Sequence, residues 1–487
     1  MNRWPIFLLL LCASHCLVAQ SDDAPEPLRF TLQECIDYAI RNNINVRQSE
    51  WNVVGDQVAL RQSKADLFPS LNAGTSFSYN VGRTINPFTN EYVEQPIQQQ
   101  NVNAVASVVL FNGLRKLNTI KQNRTNLDVS QYDLEASKDN ITLNVINAYT
   151  QILFNQELLE TRQFQRATSQ DQFNRTQRLV EAGSLPEADA LEADAQIAQD
   201  EVGIIEAENN LALAKLQLKQ LLQLPDSQPL NIILPDIAVP DTIMLPSSPS
   251  AVYAQAVNTL PAIKSADLQI ISAQYSIAIA RADFYPSISL DAGLVSRYSS
   301  VAPDQIPKAG VENNEQEVPT GDFIRDASGT LTPVLTVTNV PTAFTDNTYL
   351  NQLDFNLNRY IGINLNVPIF NNWRARSSTA QAKINWEQAK LNALDQRNIL
   401  RQNIEQAYLD AKSSAKSYAA NQRQVASLSQ AFRNTEVRYQ AGALDAVNFN
   451  QAKNNLDAAE SNLVQAKYNY IFSLKVLDFY QGKPLEF

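Results

Sequence analysis

The stretch that decides the fold runs from residue 404 to residue 442 and reads IEQAYLDAKSSAKSYAANQRQVASLSQAFRNTEVRYQAG. It contains no proline, and its only glycine is the last residue. One residue in every seven forms a mainly apolar series: Ile404, Ala411, Tyr418, Val425, Phe432 and Tyr439. A sustained seven-residue repeat keeps one stripe of a helix turned toward a partner helix, so the stretch predicts one arm of a coiled coil.

A second helical pattern begins within a few residues of Gly442 and supplies the partner arm. Its own seven-residue series comprises Phe449, Leu456, Leu463, Tyr470 and Leu477. Glycine just beyond a helix end adopts the left-handed conformation that terminates the helix. The two stretches therefore predict a long antiparallel helical hairpin that turns at Gly442.

The same plan occurs earlier in the chain, so the protein is predicted to be a duplication. Residues 114–182 also lack proline and glycine, and they end at Gly183. Phe370 follows Phe111, and Gly442 follows Gly183, by the same 259 positions. A helix of about 69 residues would extend roughly 100 Å at ~1.5 Å per residue. Ordinary core helices remain the alternative to coiled-coil arms.

Four shorter segments alternate strictly between apolar and polar residues, which is typical of strands with two different faces. The apolar sets include Leu71 to Tyr79, Val102 to Leu110, Ile288 to Leu294 and Ile361 to Val367. Each segment has roughly the 8–11 residues that a tilted strand needs to cross a membrane. A soluble, half-buried sheet alternates in the same way. Four strands cannot close a barrel in one subunit, so a membrane barrel would require several copies of the chain.

The duplication sets the expected domain boundaries. The first repeat, 21–248, comprises N-terminal helices, strands near 70–82 and 101–111, a long hairpin at 112–224 and a further segment at 225–248. The second repeat, 249–487, comprises helices at 249–283, strands near 287–297 and 357–369, a long hairpin at 371–481 and a C-terminal tail. An insertion at 299–354, rich in Pro, Gly, Asn, Asp and Thr, is predicted to be a long polar loop.

The first twenty residues have the form of a signal peptide, with a basic start and an apolar run at 6–11. Cleavage is expected near Ala19 or Gln20. Lipidation at Cys12 or Cys16 is the alternative, although neither cysteine follows the small residue that lipidation requires. We therefore expect residues 1–20 to be removed on export.

The composition excludes several kinds of chemistry from the exported chain. The net charge is −11 for the full sequence and 38 − 50 = −12 once residues 1–20, with Arg3, are removed, which disfavours nucleic-acid binding. The single histidine, His15, lies in the signal peptide, and Cys35 is the one cysteine beyond it. An intrachain disulfide, a Ser-His-Asp triad and a Cys/His zinc site are thereby excluded. No cofactor or metal site is predicted. An exported hydrolase with paired carboxylates remains a weak alternative, and we expect that the protein is not an enzyme.

Strand pairs that lead into very long helical hairpins, duplicated and placed behind a signal peptide, resemble the TolC-like outer membrane factor family, the outer membrane efflux proteins. Residues 30–43 read FTLQECIDYAIRNN and are similar to the family's first helix, with Thr31 as N-cap and Glu34 as its capping partner. Phe-Pro-Ser at 68–70, Phe-Asn-Gly at 111–113 and both glycine-ended helices also match. The resemblance covers nearly the whole exported chain.

The resemblance implies an α+β membrane protein that lies in the bacterial outer membrane and extends into the periplasm. A homotrimer would share one β-barrel, to which each subunit gives four strands, and one periplasmic α-helical tunnel made of the coiled-coil hairpins. Residues 225–248 would form an equatorial segment around the middle of the tunnel, and 299–354 would be an extracellular loop. Such ducts dock with a periplasmic adaptor (membrane fusion) protein and an inner-membrane pump, in efflux or type I secretion, and carry out no chemistry. The alternative is a periplasmic coiled-coil adaptor or scaffold protein.

The resemblance also implies roles at the hairpin tips, the turns around Gly183 and Gly442, as a periplasmic gate and adaptor-docking site. Asp189 and Glu192 lie six and nine positions after Gly183. Asp189 matches the carboxylate that in the family links the two hairpins, and Tyr439 matches one of its partners. The alternative is that both acids simply favour the start of a helix.

The second tip departs from the family pattern because it is neutral where acids and a base are expected. Leu444 stands at the position of the basic partner, and Asn448 and Gln451 stand where two acids are common. Asp445 is out of register and is expected to be a solvated charge in the first helical turn. We therefore predict a gate closed by hydrogen bonds and packing, in which cations block the pore only weakly.

Overall fold

A computed structural model describes residues 28–86, 90–225, 227–235, 248–308, 313–325, 327–483 and 485. The predicted signal peptide lies outside the described residues, as do residues 236–247 of the equatorial segment.

Nine α-helices occur in the described part of the chain. They are α1 (Leu32–Asn42), α2 (Ile44–Ala65), α3 (Arg115–Glu181), α4 (Glu187–Leu222), α5 (Pro249–Thr259), α6 (Pro261–Arg281), α7 (Tyr349–Phe355), α8 (Arg374–Gln440) and α9 (Ala446–Tyr480). No helix within those residues is both long enough and apolar enough to cross a bilayer.

Twelve strands accompany the helices over the same described ranges. They are β1 (Leu28–Phe30), β2 (Ser70–Asn80), β3 (Thr84–Ile85), β4 (Tyr92–Val93), β5 (Ile97–Asn112), β6 (Leu230–Ile232), β7 (Ser287–Ser299), β8 (Gln305–Pro307), β9 (Asn313–Arg325), β10 (Leu331–Pro341), β11 (Phe344–Asp346) and β12 (Asn358–Asn366).

The chain forms two compact units. One comprises Met1–Val54, Asp128–Asp267 and Leu391–Phe487, and the other comprises Gly55–Leu127 and Leu268–Lys390. Each unit takes residues from both sequence repeats. The repeats therefore describe how the chain was duplicated, whereas the compact units cut across them.

The two predicted helical hairpins are present. Their long arms, α3 and α8, have 67 residues each, and their returning arms, α4 and α9, have 36 and 35. Gly183 and Gly442 follow the long arms with φ of +73° and +69°, the left-handed region that favours glycine. The N–H of the residue after each glycine returns to a carbonyl oxygen in the last helical turn, that of Leu179 or Arg438. This bonding ends each arm and reverses the chain.

The main core of the first unit surrounds Tyr149, which is 1% exposed on α3. It packs with buried residues of α1 and α4, including Cys35 and Leu218. The Tyr149 hydroxyl donates to the Ile233 carbonyl oxygen at 2.6 Å, next to the parallel pair of β1 and β6. The predicted capping box of α1 is confirmed, because Thr31 and Glu34 exchange hydrogen bonds between side chain and backbone.

The second unit contains a four-stranded antiparallel sheet in the order β12-β7-β5-β2. These are the four strands that the alternation predicts, with bounds within a few residues of the expected ones. The two inner strands pair on both sides, while β2 and β12 lie at the edges and leave most of their residues exposed on both faces. Among the residues that the structure describes, the sheet therefore ends in two unpaired edges.

The prediction that 299–354 is a loop is wrong for most of its length. Strands β9 and β10 form an antiparallel hairpin there, β8 pairs with β11, and α7 follows. The β-branched residues of β10 favour a strand, but its prolines suggested a loop. The register shifts between Pro333 and Leu335, the kind of irregularity at which a strand tolerates proline.

Candidate functional site at the hairpin tips

The first hairpin tip presents three acids at the start of α4, namely Glu187, Asp189 and Glu192, of which the last two are the predicted site residues. Asp189 is half-buried and Glu192 is exposed, and the backbone N–H of Asp189 donates to the Pro186 carbonyl oxygen at 3.1 Å. Over the described residues, neither carboxylate forms a side-chain hydrogen bond or ion pair. The positive end of the helix dipole favours the charge of Asp189, which lies in the first turn of α4, whereas Glu192 lies in the second turn. Asp189 and Glu192 are thus two carboxylates whose hydrogen-bonding capacity is unused in the part of the chain that the structure describes.

The structure does not pair Asp189 with Tyr439, the partner that the family resemblance implies. The Tyr439 hydroxyl instead lies 3.5 Å from Thr176 Oγ1 on α3. Tyr439 is 5% exposed, and its ring stacks on Phe449 with 4.7 Å between centroids. Its contact with the first hairpin is therefore made to the long arm rather than to the acids of α4.

The second tip is held together by apolar packing. Tyr439, Ala446 and Phe449 form a buried cluster, and Phe432 and Leu444 pack against it. Leu444, at the position where the family carries a base, thus fills space beside an aromatic pair. The packing explains how the second tip keeps its conformation without the expected ion pair.

The two amides that stand in place of family acids form local hydrogen bonds along α9. The backbone N–H of Asn448 donates to Asp445 Oδ1 at 2.8 Å, and its side-chain amide reaches both oxygens of the same carboxylate. Gln451 donates to Asn455 Oδ1 at 3.0 Å. Asp445 is therefore the N-cap of α9, a more specific role than the predicted solvated charge.

A buried ionic cluster, which we call the Lys453 cluster, joins the hairpins further from the tips. Lys453 Nζ lies 2.5 Å from Asp457 Oδ2 on α9 and 3.3 Å from Asp200 Oδ2 on α4. The three side chains are only 3%, 13% and 10% exposed. Ser169 of α3 and Gln196 of α4 donate to the two carboxylate oxygens of Asp200. The cluster thus connects both arms of the first hairpin with the returning arm of the second.

Burial dominates the electrostatics of the Lys453 cluster. It raises the pKa of Asp457, and the repulsion of Asp200 and Glu460 acts in the same direction, while Lys453 opposes the change. Gln165 of α3 donates to the Asp457 carbonyl oxygen at 3.1 Å and to Glu460 Oε2 at 3.2 Å. Every charged group of the cluster therefore has a hydrogen-bonding partner, as a buried charge requires.

Sequence reasoning missed the Lys453 cluster, although one signal was present. Lys453 follows Phe449 by four positions and precedes Leu456 by three, so it lies on the same face of α9 as these two buried residues. A charge on the core face of a coiled-coil arm needs a buried partner. Asp200 belongs to the other hairpin, so the register between hairpins, which the sequence does not reveal, was needed to find it.

A second polar contact between the hairpins lies further along α9, away from its N-terminal tip. Lys467 Nζ lies 2.7 Å from Glu157 Oε2 on α3, and the Tyr468 hydroxyl donates to the same oxygen at 2.7 Å. The two charged side chains are 25% and 33% exposed. Solvent therefore reaches this pair more readily than it reaches Lys453.

Most of the polar side chains described above form hydrogen bonds and ion pairs between and within the two hairpins. Across the described residues, no group of three His, Cys, Asp or Glu side chains is placed to hold a metal ion. The carboxylates and amides of the tips instead line the ends of two long helical hairpins, where they can contact other proteins or solutes.

Comparisons with known proteins agree with this architecture. The model of the family described as "Outer membrane efflux protein" matches residues 35–223 and 345–483. The alkaline protease secretion protein AprF of Pseudomonas aeruginosa is 24% identical over 73% of this chain and 64% of its own length. The outer membrane efflux protein BepC of Brucella suis is 20% identical over 91% of this chain and 83% of its own length. The chain thus spans a little under two thirds of AprF and most of BepC.

Solved structures share the fold over nearly the whole chain. CusC matches with a TM-score of 0.73 at 19% identity and covers 96% of both chains. The outer membrane channel CmeC of Campylobacter jejuni matches with a TM-score of 0.70 at 18% identity, over 93% of this chain and 85% of that one. With the family model matched over more than half of its residues, the chain belongs to the outer membrane efflux protein family, whose members are transport channels of the outer membrane.

Proposed function

We propose that the protein is the outer-membrane exit duct of a tripartite efflux or type I secretion system. It passes substrates from an inner-membrane pump and a periplasmic adaptor to the cell exterior, and it does so without chemistry. The observation that carries the proposal is the combination, in one chain, of two 67-residue helices with returning arms and a four-stranded sheet with open edges. A scaffold of helices alone would have no use for that sheet.

A homotrimer would close the open sheet. The edge strands β2 and β12 expose Leu71, Phe77, Ile361 and Ile363 by 64% or more. Unpaired backbone groups are costly in lipid, so a membrane sheet must pair every edge. Three copies that join β12 of one subunit to β2 of the next supply twelve strands and leave no edge. The outward apolar rows would then face outer-membrane lipid.

The hairpin tips are proposed to form the periplasmic gate and to dock the adaptor. The residues concerned are Gly183, Asp189, Glu192, Tyr439, Gly442, Asn448 and Gln451. The unused carboxylates of Asp189 and Glu192 support a role in contacts between subunits or with an adaptor. The neutral, locally bonded Asn448 and Gln451 support a gate that closes by packing and hydrogen bonds.

Reconstitution tests the proposal directly. The full chain, purified in detergent and inserted into planar lipid bilayers, is expected to give discrete conductance steps. Affinity purification from the native envelope is expected to recover an adaptor and a pump. A protein that stays soluble without detergent and gives no conductance would instead support the alternative, a periplasmic coiled-coil adaptor or scaffold protein.

A further inference from the structure

A cavity of about 260 Å³ lies where the chain passes from β12 into α8. Its apolar lining includes Ile369, Phe370 and Trp373, which are 95%, 73% and 59% exposed. A cluster of large apolar side chains left this open is typical of a surface that another molecule covers. We call these three residues, together with Arg376 of the same lining, the Trp373 site.

Arg376 gives the Trp373 site an unbalanced positive charge. Its guanidinium group lies 4.5 Å from the centre of the Trp373 ring, so it is held over the aromatic face. Over the described residues, Arg376 forms no ion pair. Asp283 also lines the cavity, but its carboxylate pairs with Arg115 of α3. The guanidinium group of Arg376 is therefore left to bind an anion from outside the chain.

The position of this charge on α8 is unfavourable without such an anion. The first turn of α8 contains Arg374 and Arg376 and no acid, and neither arginine has an ion-pair partner within the described ranges. The amino end of a helix carries partial positive charge, so cations at this end cost free energy. Helix α3 also begins with an arginine, Arg115, but Asp283 compensates its charge. An anion bound at the Trp373 site would supply the compensation that α8 lacks.

The two sequence repeats differ at this site. At the counterparts 259 positions earlier, Leu114 and Leu117 stand in place of Trp373 and Arg376. Leu114 has the same left-handed backbone as Trp373, with φ of +64° against +62°. The fold therefore accepts leucine at this turn, and neither the aromatic ring nor the cation is needed to form it.

We propose that the Trp373 site binds a membrane phospholipid, with its phosphate on Arg376 and its acyl chains along the exposed apolar side chains. The inference rests on the proposed function, which places the sheet in the outer membrane and the long helices in the periplasm. The turn between β12 and α8 then lies at the periplasmic leaflet, at the depth where lipid phosphates meet the acyl chains. An arginine can bind a phosphate through two parallel hydrogen bonds, and tryptophan is favoured at this interface.

The apolar surroundings of Arg376 favour a lipid over a soluble phosphate. A small anion would use the guanidinium group alone and would leave Ile369 and Phe370 in water. A phospholipid covers the cation and the apolar side chains at once. Burial of apolar surface then adds to the charge-assisted hydrogen bonds.

Native mass spectrometry of the full chain in detergent tests the site. Phosphatidylglycerol is compared with diacylglycerol of the same acyl chains, which lacks the phosphate, and with glycerol 3-phosphate, which lacks the acyl chains. We expect saturable binding of one phosphatidylglycerol per subunit and about tenfold weaker binding, or less, of the other two. Equal binding of diacylglycerol would exclude a phosphate site, and equal binding of glycerol 3-phosphate would make the ligand a soluble anion. Either result overturns the proposal.

A substitution that copies the first repeat tests the role of the cation. Arg376→Leu is expected to weaken phosphatidylglycerol binding about tenfold or more and to leave diacylglycerol binding unchanged. Arg423→Leu, which removes an exposed arginine 47 positions later on α8, is the control and should bind like the parent. Unchanged binding in Arg376→Leu, or an equal loss in Arg423→Leu, would overturn the site. If Arg376→Leu does not fold, Arg376→Gln carries the same expectations.

Flotation with vesicles separates failure of the site from failure of the duct. The parent protein, mixed with phosphatidylcholine vesicles as its detergent is removed, is expected to float with them whether or not the Trp373 site is filled. A parent that floats but does not prefer phosphatidylglycerol to diacylglycerol rejects the site and keeps the duct. A parent that does not associate with vesicles rejects the membrane placement, and with it both proposals.

Discussion

At the scale of single residues, Asp139 lies on α3 beside a cavity of about 240 Å³ lined by Leu143, Ile263 and Tyr480 among others. Burial raises its pKa to about 6, and the charge of Glu135 one turn earlier contributes in the same direction. Across the described residues, the carboxylate has no hydrogen-bonding or ion-pair partner. An ionised carboxylate in this position is therefore a cost to the folded state.

Replacement of Asp139 by Asn is expected to stabilise the protein in a pH-dependent way. Above pH 6 the folded parent holds an unfavourable charge, whereas below about pH 4 the carboxyl is neutral in both folded and unfolded chains, so the penalty disappears. We expect a gain on the order of 1–2 kcal/mol at pH 7.5, discounted for partial exposure, and little gain near pH 4. Thermal unfolding of parent and variant in detergent at both pH values measures this gain in stability. Asp171→Asn, at an exposed site on the same helix, is the control and should leave the stability unchanged at both pH values. Equal gains in stability at both pH values in Asp139→Asn would contradict the assignment of the effect to a buried charge.

Gln451 provides a second prediction at the same scale, because it stands where the family often carries an acid. The parent pore is expected to be blocked only weakly by divalent or trivalent cations added on the periplasmic side. Gln451→Glu would place one carboxylate per subunit near the pore entrance and is expected to create block that weakens with salt. Gln451 is preferred to Asn448, whose replacement by Asp would oppose the Asp445 cap. Strong cation block of the parent, measured by single-channel conductance, would reject the neutral gate.

At the scale of elements, the sequence predicts those features that rest on local periodicity. The seven-residue series ending at Tyr439 locates α8, and the alternation from Ile361 to Val367 locates β12. The hairpin of β9 and β10 was not predicted from the sequence, because Pro319 and Pro333 interrupt otherwise strand-like sequence. The contact of Tyr439 with Thr176 was not predicted either. It depends on how the two hairpins align, and no local sequence pattern encodes that alignment.

The turn glycines allow a prediction about the hairpins as elements. Gly442→Ala forces a residue with a Cβ into φ of +69°, although the Cβ itself would meet no atom within 4 Å. The expected loss of stability is therefore conformational and about 1 kcal/mol. Gly55→Ala, inside α2 and equally uncrowded, is expected to stabilise by up to about 1 kcal/mol. Thermal unfolding of both variants gives the comparison, and a stabilising Gly442→Ala would contradict the left-handed turn.

At the scale of the whole molecule, the internal repeat predicts how neighbouring subunits pair. Inside the chain, Val108 of β5 pairs with Leu290 of β7. Their counterparts in the other repeat are Val367, 259 positions after Val108, and Ala73, 217 positions before Leu290. If the subunit interface repeats the internal one, Val367 of one subunit lies opposite Ala73 of the next, and Ile363 lies opposite Phe77. The register sets apolar residues against apolar ones, which a shift by one residue would destroy.

The same register places Ser76 of one subunit opposite Asn364 of the next, on the polar face of the sheet. Residues directly opposite on antiparallel strands are close enough for a disulfide. Ser76→Cys with Asn364→Cys is therefore expected to give covalent trimers on oxidation, seen by non-reducing electrophoresis; native Cys35 is fully buried and should not interfere. Ser76→Cys with Tyr360→Cys, displaced by four residues or about 13 Å along the strand, is the control and should stay monomeric. Equal cross-linking of both pairs would reject the register, and cross-linking of neither would reject closure of the sheet through β2 and β12.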